Sequence, residues 1–277
     1  MTVRQNQGRS ELFGVPLDKL NQVELIASII EMAESGKSLI AYANIKTMNM
    51  AYEQPWYAEF LRTAAIVYCD GFGVIFGARL VGRSILPSHR ATCPDWLETL
   101  AGACAENGRS LFLLAGCGKT AEKAHERLGQ QFPTLKFGVH NGYFQKVGPE
   151  NRAIVEKINA FKPDILLVGF GTPLQEQWIK QNYSTIETHV FLPVGACIDY
   201  YTGLRTRGPA WLTNHGFEWF CRLVTEPRRL WHRYIIGIPL FFFRLIRLRF
   251  LPLKRPIFQQ GKVHVSTRTS SYAEQDN

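Results

Sequence analysis

The stretch Pro163 to Ile179, PDILLVGFGTPLQEQWI, constrains the fold more than any other part of the chain. Ile165 to Val168 is an unbroken apolar run, as expected of a parallel strand covered on both faces. Gly169 and Gly171 then allow a sharp backbone turn where a side chain would obstruct it. Pro173 suits the first turn of a following helix, whose unpaired N–H groups make a seat for phosphate. Open α/β sheets bind ligands at the carboxyl ends of such strands, so Gly171, Thr172, Gln175 and Glu176 are candidate binding residues. A plain strand-to-helix connection with Trp178 in the core explains the same residues, and the local pattern does not choose between the two.

The same grammar recurs along the chain. Leu12 to Leu17 reads as a first short strand, and Asn21 to Glu34 as an amphipathic helix carrying Val23, Leu25, Ile26, Ile29 and Ile30. Strands are expected at Leu39 to Ala43, Ile66 to Tyr68, Ser110 to Ala115, Leu135 to Val139, Asp164 to Val168 and His189 to Val194, with a helical pattern over Ile45 to Phe60 and Asn151 to Phe161. Alternation of this kind predicts an α/β fold, a Rossmann-like and mostly parallel sheet with helices on both faces.

Several strand ends carry chemistry. Asp70-Gly71 follows Ile66 to Tyr68 and reads either as a turn or as a general base at the sheet's carboxyl edge. Asp95, behind Pro94, reads as a cap or first-turn carboxylate, and His89 and Arg90 as part of a mobile loop over the site. Gly116-Cys117-Gly118-Lys119-Thr120-Ala121 lacks the first glycine of a Walker A loop, since Leu113 stands there. It fits a relaxed dinucleotide fingerprint instead, but the next strand ends in His140-Asn141 without the acid a nicotinamide enzyme offers the ribose, so a nucleotide is expected and no cofactor. There is no Asp-x-Asp pair of the kind many sugar transferases use to hold a metal, so a metal-independent mechanism is expected.

Charge narrows the partner. The 277 residues carry a formal net charge of +9, which favours an anionic partner. Beyond Leu204 many arginines, among them Arg205, Arg207, Arg222, Arg228, Arg229 and Arg233, are set among Trp211, Trp219, Phe220, Trp231 and the run Ile235 to Phe243. That run is too short to span a bilayer and is interrupted by Pro239. Its mixture of bulky apolar and basic residues favours an anionic membrane surface over nucleic acid or a solvated helical hairpin. The expected organisation is a core over residues 1–204, a basic aromatic appendage over 205–258 and a polar tail over 259–277. Cys69, Cys93, Cys104, Cys117, Cys197 and Cys221 form no Cys-x-x-Cys pair, so neither zinc nor a disulfide framework is expected and a reducing compartment fits. Met1 to Ser10 has no apolar signal-peptide core.

Taken together the motifs resemble the WecG/TagA/CpsF glycosyltransferase family, glycosyltransferase family 26, over about Leu12 to Arg233. The resemblance rests on Asn44, Asp70-Gly71-x-Gly73, Arg90, Gly142-Tyr143-Phe144, Gly171-x-Pro173-x-Gln175-Glu176-x-Trp178, Val194-Gly195-Ala196-x-x-Asp199, Arg207-x-Pro209-x-Trp211, Glu218-Trp219-x-x-Arg222 and Glu226-Pro227-x-Arg229. It implies an inverting, metal-independent transfer of a hexose or N-acetylhexosamine-type sugar from a UDP-sugar to a polyprenyl-diphosphate-linked saccharide, at the cytoplasmic face of a bacterial membrane. By position, the resemblance makes Asp70 the base and places Arg90 at the diphosphate or acceptor. It puts Gln175 and Glu176 in the nucleotide-sugar pocket, together with Tyr42, Asn44, Gly71, Gly116, Gly171, Thr172 and Gly195, and has Arg207, Arg222 and Arg229 close over them. Tyr42 stands where family members often have threonine, and Cys93 where glycine is common. Self-association is a further expectation. The alternative is a nucleotide-binding, membrane-associated scaffold or regulator without transferase activity.

Overall fold

The computed structural model describes residues 8–206 and 208–250. A hairpin of β1 (Arg9–Leu12) and β2 (Val15–Asp18) leads into α1 (Gln22–Met32), β3 (Ser38–Ala43), α2 (Ile45–Glu53), α3 (Pro55–Thr63), β4 (Ile66–Cys69) and α4 (Phe72–Leu80). Then come α5 (Cys93–Glu106), β5 (Leu111–Ala115), α6 (Gly118–Gln131), β6 (Phe137–His140), α7 (Gly148–Phe161), β7 (Ile165–Gly169), α8 (Leu174–Asn182), β8 (Val190–Pro193) and α9 (Cys197–Tyr201). Strands β3 to β8 form one parallel sheet in the order β4-β3-β8-β7-β5-β6. The α/β, Rossmann-like expectation is met.

Alternation along each strand divides the core in two. Ile40, Leu111, Leu113, Ile165, Leu167, Val190 and Leu192 join α1, α5, α6 and α9 in one buried cluster. Their neighbours Leu39, Ala41, Phe112, Leu114, Leu166, Val168 and Phe191 join α2, α3, α4, α7 and α8 in the other. The strands read as continuous apolar runs because both faces are covered.

Three local expectations are corrected. Leu12 to Leu17 is a hairpin, because Phe13 and Gly14 both take positive φ, 53° and 75°, and reverse the chain. The hairpin lies on the outer edge of the sheet, where the Asp18 carboxylate accepts the Val67 N–H at 2.7 Å and pairs with Arg9 at 2.6 Å. The Ile45 to Phe60 pattern is two helices, broken at Gln54 because Pro55 has no N–H to continue the first and instead opens the second. The Arg90 segment is not a loose loop: Arg90 makes a parallel bridge with Cys69, the Ala91 N–H donates to the Cys69 carbonyl at 2.9 Å, and Ile85 and Ala91 are buried.

After α9 the chain runs through α10 (Ala210–Asn214), α11 (Glu218–Thr225), α12 (Pro227–Trp231), a π-helical turn (His232–Ile236) and α13 (Gly237–Phe250). Helix α13 seats Phe241 and Leu245 in the second core cluster, and Arg244 pairs with Glu53 at 2.5 Å and donates to Asn49 Oδ1 at 2.9 Å. Gly77 makes this seat possible: a Cβ there would lie 2.5 Å from Phe241 and 2.7 Å from Leu245. Among the described residues no helix is long and apolar enough to cross a membrane.

Candidate active site

The carboxyl ends of β3, β4, β7 and β8 meet in one cleft. At the end of β3, Asn44 caps α2: its Oδ1 accepts the Thr47 N–H at 3.1 Å, while Thr47 Oγ1 accepts the Asn44 N–H at 2.7 Å. With its oxygen held by the cap, the side chain aims Nδ2 outward, and it donates to Asp70 Oδ2 at 3.1 Å. A helix cap therefore orients the partner of the carboxylate. Asp70 follows β4, its N–H bound to the Ala43 carbonyl at 2.8 Å, and Gly71 turns the chain into α4 at φ +97°, a conformation disfavoured for residues with a Cβ. Burial raises the Asp70 carboxyl above the ordinary carboxylate range, against the Asn44 hydrogen bond, which lowers it.

Gln175 and Glu176 do not line the cleft. Both are buried, at 0% and 1% exposure, and brace its floor. Gln175 Oε1 accepts the N–H groups of Gly171 at 3.3 Å and Gly195 at 3.0 Å, tying the turn after β7 to the turn after β8. Its Nε2 donates to the Tyr42 hydroxyl at 3.0 Å and to Glu176 Oε1 at 2.8 Å. Thr172 Oγ1, at 3.0 Å, and the Tyr57 hydroxyl, at 3.2 Å, donate to that same carboxylate oxygen. Burial raises the pKa of Glu176, whose Oε2 has no hydrogen-bond partner among the described residues. Helix α8 begins at Leu174, one residue after the Pro173 at which the sequence suggests it. Tyr42 does face the cleft, and its hydroxyl lies 2.8 Å from Thr172 Oγ1, so a threonine hydroxyl from the turn after β7 stands beside the tyrosine.

Cations cover the cleft from above. Arg222, Arg229, Arg233 and Lys46 line a cavity of about 350 Å³ together with Tyr42, Asn44 and Asp70. Lys46 donates to the Thr172 carbonyl at 2.6 Å, and burial followed by the Arg233 charge pulls its pKa down. Arg222 pairs with Glu218, its guanidinium lies 4.4 Å from the Tyr200 ring, and its Nε has no hydrogen-bond partner among the described residues. Arg90 lines the neighbouring cavity, about 120 Å³, on the far side of Asp70, paired with Asp95 at 3.1 Å and over the Phe72 ring at 5.0 Å. Asp95 is a first-turn residue of α5, as expected. On the other side Gly116, Gly142, Gly171, Gly195, Lys146 and Arg229 line a larger cavity of about 780 Å³. Lys146 sits 3.5 Å from the Phe144 ring centroid, and burial lowers its pKa to about 8. Shared lining residues make these cavities one cleft with Asp70 near its middle.

Of the residues singled out in the sequence, Tyr42, Asn44, Asp70, Gly71, Arg90, Gly116, Gly171, Thr172, Gly195, Arg222 and Arg229 line the cleft; Arg207 lies outside the described residues. Sequence reasoning missed Lys46, Arg233 and Lys146 as cleft residues. Lys46 was open to inference, two residues past a strand-end asparagine, whereas Arg233 is one arginine among many and lies in the π-helical turn. Sequence reasoning also missed the disulfide between Cys93 and Cys197, both of which line the cleft. The two are 104 residues apart, and only the folding of α5 and α9 against each other brings their Cα atoms to 5.7 Å. The cysteine pattern is thus no argument for a reducing compartment. Among the described residues no group of three or more His, Cys, Asp or Glu is placed to hold a metal ion.

A glycosyl transferase model, the WecG/TagA/CpsF family, matches residues 10–255. The chain belongs to this family. It is accordingly a glycosyltransferase, and the resemblance read from the motifs is borne out. Similar proteins include the N-acetylglucosaminyldiphosphoundecaprenol N-acetyl-beta-D-mannosaminyltransferase of Staphylococcus aureus strain MRSA252, 27% identical over 254 residues that cover 90% of this chain and 97% of that one. The same enzyme from strains NCTC 8325 and COL matches to the same extent. This transferase has its strand-end carboxylate, Asp70, in a cleft lined with cations.

Proposed function

We propose that the protein moves an N-acetylhexosamine-type or hexose sugar from a UDP-sugar to a polyprenyl-diphosphate-linked saccharide, with inversion and without a metal, in bacterial cell-surface polysaccharide synthesis. The observation that carries this reading is Asp70, a half-buried carboxylate lining, with Lys46, Arg222 and Arg233, the place where two cavities meet. The donor lies in the larger side of the cleft, its diphosphate facing Arg229 and the turns after β7 and β8. The acceptor enters from the Arg90 side. Asp70 Oδ2 is held by Asn44, so Oδ1 takes the proton as the acceptor oxygen bonds to the anomeric carbon and the bond to UDP breaks on the opposite face. Charge developing on UDP is met by arginines and backbone N–H groups. The acceptor's lipid anchor and the exposed apolar and basic surface of residues 204–250 support work at the anionic cytoplasmic face of the membrane. Self-association remains part of the proposal.

Asp70→Asn tests it. Transfer, measured as UDP release with a lipid-diphosphate-sugar acceptor and EDTA present, is expected to fall about 10²- to 10⁴-fold with UDP binding kept; undiminished turnover removes Asp70 as the base. The base works ionised, so kcat/KM rises with pH along an acid limb displaced above the usual carboxylate range. The stability consequence has the opposite sign. A carboxyl whose folded pKa is raised contributes stability below its unfolded pKa and loses it as pH rises through the folded one. At neutral pH the inactive Asp70→Asn protein is therefore expected to melt at or above the wild-type temperature.

A further inference from the structure

On the far side of the Asp70 cavity the cleft changes character. A second space of about 580 Å³, within the range of roughly 300–1,000 Å³ usual for small-molecule sites, is walled by Phe76 of α4, Trp219 of α11, Ile235 of the π-helical turn and Phe242 of α13. It shares Ile45, Phe72, Gly73, Trp219, Tyr234 and Ile238 with the Asp70 cavity, so the two are continuous. Phe76 and Ile235 stand 63% and 59% exposed on its walls, an unusual state for large apolar side chains lining a concave surface.

From this we infer that the groove between α4 and the π-helical turn holds the first isoprenoid units of the acceptor's own lipid chain. The inference rests on the acceptor reading above and adds a site for a part of the substrate that the catalytic cavity does not accommodate. Polarity along the cleft carries the argument. An amphiphile with its diphosphate among Arg90, Arg222 and Arg233 has its next atoms at Phe72 and Trp219, where the lining turns apolar. The shape favours the acceptor's chain over bilayer lipid, because the groove is concave and runs into the cavity that Asp70 lines. The apolar side chains suited to a bilayer, Trp211, Phe220, Phe243 and Phe250, are exposed and line no cavity described above.

The test uses the full chain without membrane or detergent, and N-acetylglucosamine-diphosphate acceptors bearing either a farnesyl or an ethyl group. Ile235→Glu and Phe76→Glu are expected to raise KM for the farnesyl acceptor about tenfold or more, since a charge facing apolar chain removes its burial, and to leave KM for the ethyl acceptor within about twofold. Farnesyl diphosphate binding, followed by calorimetry, should weaken in parallel. Equal losses with both acceptors, or no farnesyl preference in the wild-type protein, overturn the groove assignment while leaving the transferase reading in place. No transfer to either acceptor, with farnesyl diphosphate binding still sensitive to Ile235→Glu, sinks the acceptor reading and keeps the groove as a prenyl site. If the substitutions weaken only binding to anionic phospholipid vesicles, the surface belongs to the bilayer and the inference fails.

Discussion

The sheet and the segment that follows it treat the same kinds of residue in opposite ways. In the sheet and its helices Trp96, Trp178, Phe112 and Phe191 are almost wholly buried. Of the twenty-one large apolar side chains that stand exposed among the described residues, thirteen lie in the short stretch 204–250. Only Leu230, Tyr234, Phe241 and Leu245 of that stretch are buried large apolar residues, and ion pairs tie it both to itself, as Arg205 with Glu226 at 2.5 Å, and to the core, as Arg205 with Asp199 at 3.0 Å and Arg244 with Glu53 at 2.5 Å. Aromatic content therefore builds a core in one region and a surface in the other. Exposed aromatic area does not stabilise a monomer, so its presence points to an external partner.

The sharpest challenge to this contrast is a pair of tryptophans. Trp178 packs edge-on against Phe170 and donates to Asn151 Oδ1 at 2.6 Å; its replacement by alanine is expected to cost about 3–5 kcal/mol in denaturant unfolding. Trp231→Ala, at a 49% exposed side chain, is expected to stay within about 0.5 kcal/mol. Equal losses would erase the distinction. A middle-sized effect belongs to the contact between the regions. Gly77→Val drives a branched side chain into Phe241 and Leu245, and overpacking of this kind costs about 1–3 kcal/mol. Cleavage by protease within 237–250 should accelerate while the sheet's amide protons keep their protection; loss of sheet protection would mean that α13 is integral to the core. The smallest effect on the fold is expected from Phe243→Ser with Ile246→Ser, within about 0.5 kcal/mol. Cosedimentation with anionic vesicles should nevertheless drop for this double variant, and unchanged cosedimentation would move membrane contact elsewhere.

How far the sequence could be read depends on whether a residue's role is local. Strands β3, β4, β5, β7 and β8 were legible because burial on both faces leaves an apolar run that survives in one dimension, and Asn44 and Asp70 were legible because they stand where such runs end. Gln175 and Glu176 were legible as residues just past a strand end but not as braces, since their partners Gly195, Tyr42 and Tyr57 come from other strands and helices. The Cys93–Cys197 pair and the inward turn of Arg233 depend entirely on tertiary placement, and no spacing rule reports them. Where the α2–α3 break was missed, the signal was present: Pro55 stands in the middle of the helical pattern.

The hairpin on β4 bears on assembly. Asp18 occupies the Val67 N–H that an outer strand offers to a neighbour, so lateral growth of the sheet is blunted on that side. Of the six-stranded sheet's two edges, β6 is the one the hairpin does not cover, so any strand pairing between copies through this sheet runs through β6 and joins two copies rather than a ribbon.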